Sequence, residues 1–227
     1  MFTSLINLFY PKVCAGCAAI LLHSELAICT VCRHEIPLTN HHLNPANDAC
    51  IKFYGRIPVE FVAAMMYFHN EGIVQQMIHN LKYRGQLEVG NIIGNWYGAL
   101  IYKFENRPAF DQIIPVPLHK RRLKQRGYNQ VLPFAEALSQ RLQVPLNNNL
   151  LFRNMYSKTQ TKKNLLGRSD VNKSIFGVVF SEQDHNKHFL LVDDVLTTGS
   201  TLEACGRELL KIPGARISIV CMAMSHS

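Results

Sequence analysis

One stretch of this chain restricts its possible folds more than any other. Residues 189–192, Phe189-Leu190-Leu191-Val192, form a short apolar run of the kind that is buried on both faces of a parallel sheet. The run leads directly into Asp193-Asp194-Val195-Leu196-Thr197-Thr198-Gly199-Ser200-Thr201 and then into a helical pattern over 201–211. A strand, two carboxylates, a hydroxyl-rich turn and a helix follow one another with almost no spacer, which demands a strand-to-helix crossover. Other apolar runs over 61–68, 112–116 and 217–222 also read as strands, while 73–82, 87–104 and 129–142 carry helical periodicity. Strands alternating with helices of these lengths predict an α/β domain with a parallel sheet.

In such sheets ligands bind outside the carboxyl ends of the strands, so the chemistry belongs in the loops after Val116 and Val192. At the second of these, Asp193 and Asp194 suit a sugar diol, whose hydroxyls donate to carboxylates, and help to place Mg²⁺. Val195 and Leu196 lead into Thr197, Thr198, Gly199, Ser200 and Thr201, whose backbone N–H groups and hydroxyls suit a phosphate at a helix N-terminus. A nucleotide-hydrolase strand is the rival reading. It requires a phosphate loop elsewhere, and the nearest candidate, residues 85–90, is followed by Asn91 rather than lysine.

At the other loop, Ile114-Pro115-Val116-Pro117-Leu118 exits through a Pro-x-Pro turn into His119-Lys120-Arg121-Arg122-Leu123-Lys124-Gln125-Arg126. This dense positive charge suits a pyrophosphate or a nucleic-acid backbone, and the residues alone do not choose between them. Lys82 and Arg84 add two cations at the end of a helix, where Gly85 is also a plain cap. The polar, basic segment 158–164, containing Lys162 and Lys163, reads as a loop.

Two CxxC pairs, Cys14/Cys17 and Cys29/Cys32, have the spacing of two knuckles presenting four thiolates to one structural Zn²⁺; disulfide or redox pairing is the alternative. We therefore expect a zinc ribbon over 1–37, a linker over 38–58 in which His41 and His42 have no special role, and the α/β domain over 59–227. Cys50 lacks a CxxC partner, since Phe53 stands at that place, and Cys205 and Cys221 read as core residues. Lys and Arg outnumber Asp and Glu by 24 to 16, a formal charge of +8, which again fits a polyanionic ligand. The sequence has no run of 18 apolar residues, and residues 1–10 lack the features of a signal peptide, so a cytoplasmic location is expected.

The run 192–201 resembles the phosphoribosyl pyrophosphate (PRPP) motif of type I phosphoribosyltransferases. Pro115-Val116-Pro117-Leu118, the basic stretch, Arg126-Gly127-Tyr128-Asn129-Gln130 and Leu81-Lys82-Tyr83-Arg84-Gly85 resemble the ComF branch, whose members also carry an N-terminal zinc ribbon. The resemblance implies a type I phosphoribosyltransferase fold that binds Mg²⁺-PRPP through Asp193, Asp194 and residues 195–201. It also implies a pyrophosphate loop at 117–122 and a closing loop at 158–164. Two functions follow from it. One is transfer of the phosphoribosyl group to an acceptor, with pyrophosphate released. The other is a PRPP-binding or single-stranded-DNA-associated module that works with DNA-uptake proteins and does not turn over. No hood for an acceptor and no general base is recognisable in the sequence.

Overall fold

The computed structural model describes residues 11–154 and 174–225. Its strands are β1 (Phe61–Phe68), β2 (Gln112–Pro115), β3 (Leu151–Arg153), β4 (Phe176–Val178), β5 (His188–Leu196) and β6 (Arg216–Ser225). Its helices are α1 (Thr30–Glu35), α2 (Asp48–Ile51), α3 (Ile73–Tyr83), α4 (Leu87–Lys103), α5 (Lys120–Arg126), α6 (Leu132–Leu142) and α7 (Ser200–Leu209). β1, β6, β5 and β2 pair in that order, all parallel, while β3 and β4 form a separate antiparallel pair. The α/β expectation is met, with two refinements. β5 runs through both aspartates to Leu196, and the short pair β3–β4 escapes notice because three-residue strands carry no readable period.

Side-chain alternation divides the core in two. Leu190 and Val192 of β5 face a cluster built from α3, α4, α6 and the cysteine unit, and Phe189 and Leu191 face one built from α7 and the β3–β4 pair. Both faces of the central strands are covered, as their continuous apolar sequence requires.

The close packing of α4 on α6 depends on a stripe of three glycines one turn apart, Gly90, Gly94 and Gly98. A Cβ at Gly94 would lie 2.6 Å from the carbonyl oxygen of Phe134 and 2.7 Å from the Cβ of Ala137. One at Gly98 would lie 2.7 Å from the Cβ of Arg141. Without these side chains the two backbones approach closely enough for Phe134 and Leu138 to be fully buried.

Residues 38–58, expected as a linker, are packed against the sheet. They form a 3-10 turn at His41–Leu43 and the short helix α2. Asn47 caps α2, and its Nδ2 donates to the Val62 carbonyl of β1 at 2.8 Å. His41 and His42 are core residues rather than idle linker positions: both are buried, His41 pairs with Asp48 at 2.6 Å, and His42 meets Tyr97 edge-on. Ala49 and Phe53 join the α7-side core. Among the described residues, no helix is long and apolar enough to cross a membrane.

Gly94→Ala is expected to lower the unfolding free energy by about 1–3 kcal/mol, because the clash is with helix backbone that has no room to yield. Urea denaturation of the variant against the parent checks it, and Gly72→Ala, at φ -93° and with nothing nearer than 3.4 Å to its built Cβ, is expected to show no such loss.

Candidate functional site

Because β5 continues through them, Asp193 and Asp194 turn to opposite faces of the sheet. Asp194 faces α3 and α6 and is buried. Its Oδ1 accepts from Lys82 Nζ at 2.9 Å and its Oδ2 from Gln130 Nε2 at 2.7 Å. Asp193 Oδ1 accepts from the Asp194 backbone N–H at 2.8 Å. Burial and the adjacent Asp194 charge push the Asp193 carboxyl up to about 8, against a smaller opposing pull from that backbone N–H and Lys82. Burial, together with the charge of Asp193, also keeps the thiols of Cys205 and Cys221 protonated.

Thr197, Thr198, Ser200 and Thr201 are exposed at the start of α7. Thr198 Oγ1 lies 3.0 Å from Ser200 Oγ, and Gly199 holds the turn with φ +77°, in the left-handed region that glycine tolerates. The turn is supported from behind. Arg56 Nη1 donates to the Thr198 carbonyl at 2.6 Å and to the Lys52 carbonyl at 2.9 Å, and its Nε donates to Glu203 Oε2 at 2.8 Å. A Cβ on Gly199 would approach the Phe53 ring to 3.2 Å. The segment expected as a linker therefore shapes the hydroxyl loop.

The basic run after β2 is the helix α5, capped by His119, whose Nδ1 accepts from Arg121 N–H at 3.1 Å. Pro117 and Leu118 are half-buried at its entry, and Lys120, Arg121, Arg122 and Lys124 are exposed along it. Its last residue, Arg126, and the residues after it fasten α5 to the rest of the site. Arg126 donates to Gln130 Oε1 at 2.7 Å and stacks over Tyr83, 4.9 Å from the ring centre. The hydroxyl of Tyr128 donates to the Leu81 carbonyl at 2.6 Å and accepts from Gly85 N–H at 3.2 Å. Asn129 Nδ2 donates to the Val116 carbonyl at 3.1 Å.

The sulfurs of Cys14, Cys17, Cys29 and Cys32 lie within 4.8 Å of one another. Burial alone would raise the Cys14 thiol, but the backbone N–H groups of Cys29, Cys17 and Gly16 outweigh it and bring it down to about 7. Cys32 is pushed far up by burial and by the neighbouring thiols. Four crowded sulfurs that oppose one another's ionisation are a donor set suited to a divalent soft cation, which removes that conflict. The unit sits directly on α3: Asn80 Nδ2 donates to the Ala15 carbonyl at 2.8 Å, and a Cβ on Gly16 would lie 2.7 Å from Ile73.

Of the residues selected from sequence, Lys82 meets Asp194, whereas Arg84 is exposed and lines a depression beside Cys14 and Cys17. Lys162 and Lys163 lie outside the described residues. Gln130, Arg56 and Phe53 also reach the site, although no local sequence pattern marks them for it. Gln130 closed a recognisable motif, but nothing local ties it to a carboxylate 64 residues away, and no sequence signal marks Arg56.

Residues 130–227 match the family model of the phosphoribosyl transferase domain. The chain is 36% identical over 110 residues to competence protein F of Haemophilus influenzae, a match spanning 48% of each protein. It is 27% identical over 207 residues to competence protein ComFC of Bacillus subtilis, covering 86% of this chain and 82% of that one. To DNA utilization protein YhgH of Escherichia coli it is 24% identical over 227 residues, covering 93% and 96%. A crystal structure of adenine phosphoribosyltransferase aligns with 65% of this chain and 75% of its own at a TM-score of 0.39 and 13% identity, too loosely to bear on the site.

The raised Asp193 pKa has a signed consequence for stability. A carboxyl whose folded pKa lies above its unfolded value of about 3.9 contributes stability below that value and loses it as pH rises through about 8. Asp193→Asn, which mimics the protonated form, is expected to raise the urea midpoint above that of the parent at pH 6 and by a larger margin at pH 9. A variant with the same pH dependence as the parent would remove Asp193 as the cause.

Proposed function

From the premise that this chain is a homologue of the ComF-type competence and DNA utilization proteins, with a type I phosphoribosyltransferase fold behind a four-cysteine unit, we propose that it binds Mg²⁺-PRPP. The supporting observation is the meeting, at one end of the parallel sheet, of the two carboxylates of β5 and the exposed hydroxyl turn at the N-terminus of α7. Sugar hydroxyls would donate to Asp193 and Asp194, and the 5′-phosphate would accept from the backbone and hydroxyls of Thr197, Thr198, Gly199, Ser200 and Thr201. Arg56 keeps that turn open from behind. The pyrophosphate would lie toward Pro117, Leu118, His119, Lys120, Arg121 and Arg122, with Lys82 beside Asp194 supplying positive charge. Mg²⁺ bound with PRPP would neutralise part of the pyrophosphate charge.

If an acceptor enters, displacement at the anomeric carbon forms the bond to the acceptor and breaks the bond to pyrophosphate, which leaves with the bonding electron pair. The carboxylates stabilise positive charge developing on the sugar, and the cations of α5 stabilise the leaving group. Among the described residues no side chain is placed as a base for an acceptor.

A second reading has its own support. Lys120, Arg121, Arg122 and Lys124 project from α5 with no carboxylate partner among the described ion pairs, and the relatives' names refer to competence and DNA utilization. On this reading α5 tracks single-stranded DNA through its phosphates. Both readings include a structural zinc on Cys14, Cys17, Cys29 and Cys32, closed by four thiolates and so without a place for substrate.

Calorimetric titration of the zinc-loaded protein with Mg²⁺-PRPP is expected to give a dissociation constant on the order of micromolar, lost in Asp193→Ala/Asp194→Ala. Absence of binding in the parent overturns the PRPP reading. For the DNA reading, Arg121→Ala/Arg122→Ala is expected to flatten the salt dependence of single-strand binding by roughly 0.7 in log-log slope per lost phosphate contact. An unchanged slope would remove α5 from that surface. Elemental analysis is expected to find about one zinc per chain and its loss in Cys32→Ser, with the N-terminal unit becoming protease-sensitive.

A further inference from the structure

The run Arg126-Gly127-Tyr128-Asn129-Gln130 is not used by the proposed chemistry, yet its side chains reach three separate parts of the site. Tyr128 holds the end of α3, from which Lys82 extends, and Asn129 holds the end of β2. Gln130 holds Asp194 itself. Local helix capping does not account for Gln130. The start of α6 is served by Asn129, whose Oδ1 accepts from Val131 N–H at 3.1 Å, while both ends of the Gln130 amide are committed to Arg126 and Asp194.

The physical roles of the two partners of Asp194 differ. Lys82 supplies charge from a long, rotatable stem, which fixes a carboxylate plane poorly. Gln130 is buried, planar and neutral, so it sets the orientation of the carboxylate without cancelling the charge that a sugar hydroxyl requires. The guanidinium of Arg126 on Gln130 Oε1 fixes which way the amide faces and polarises its N–H, strengthening the bond to Asp194. Arg126 itself is held over Tyr83. The order Arg126, Gln130, Asp194 thus forms a continuous hydrogen-bonded line from the basic helix to the carboxylate.

We propose that Gln130, oriented by Arg126, is a positioning residue that presents Asp194 to the ribose of PRPP and ties the placement of that carboxylate to the basic helix α5. The proposal rests on the PRPP reading given above.

The test is Mg²⁺-PRPP affinity by calorimetry on full-length, zinc-loaded protein in a double-mutant cycle. Gln130→Met keeps the volume and removes both hydrogen bonds, so it is chosen before Gln130→Ala in case the smaller side chain disturbs folding. Gln130→Met is expected to weaken binding about tenfold. Arg126→Ala is expected to weaken it about threefold, with much of that loss restored in Arg126→Lys, which can still donate to Gln130. Adding Arg126→Ala to Gln130→Met is expected to cost nothing more, because the line is already cut. Parent-like affinity in Gln130→Met, or losses that simply multiply in the double variant, would overturn the positioning role and leave PRPP binding standing. Absence of binding in the parent would overturn the PRPP reading and this role with it.

Discussion

The arrangement depends first on burying a charged strand end. Asp194 lies almost fully inside, on a central strand of a parallel sheet, and an unpaired carboxylate there would be prohibitive. Its two oxygens are therefore each taken by a donor, and the placement of those donors organises the surroundings. Lys82 requires α3 to end where it does, and Gln130 requires α6 to begin where it does. Tyr128 and Asn129 fasten the intervening turn to α3 and β2, so that three crossover segments converge on one carboxylate. Asp193, one residue away, faces the opposite side, and burial and its charged neighbour raise its carboxyl pKa.

The cysteine unit contributes to the same end indirectly. It belongs to the core on the α3 side, meeting the helix through Asn80 and through the close approach of Gly16 to Ile73. Arg33 of α1 also lies over Trp96 of α4. A unit of this size cannot bury enough apolar surface to be stable alone, and a bound metal is the usual remedy. Its packing against α3 places the four-cysteine cluster on the helix whose last turn carries Lys82.

The hydroxyl turn is supported from the other face of the sheet. Arg56 and Phe53 come from a stretch whose Asn, His and Pro content suggests an open connection, yet they close the rear of the turn at Thr198 and Gly199. Arg56 also pairs with Glu203 of α7, which Arg207 holds in turn. With the Thr198 carbonyl satisfied from behind, the turn leaves the hydroxyl-bearing residues Thr197, Thr198, Ser200 and Thr201 exposed, the state in which a phosphate can replace water.

Much of this protein could be read from residues near one another in the chain. Apolar runs buried on both faces, helical periodicity, a glycine among hydroxyls and two CxxC pairs are local patterns, and each produced the element or cluster expected of it. The tertiary structure alone decided which carboxylate faces which helix, because β5 continues past Val192 and alternation then separates Asp193 from Asp194. It also decided that Gln130 and Lys82, 64 and 112 residues from Asp194, are its partners. The basic run became a helix, and residues 38–58 became part of the core. The reason is physical: backbone preference and hydrophobic period are set within a few residues, whereas the partner of a buried charge is chosen by whichever distant side chain the packed sheet and helices bring within hydrogen-bonding reach.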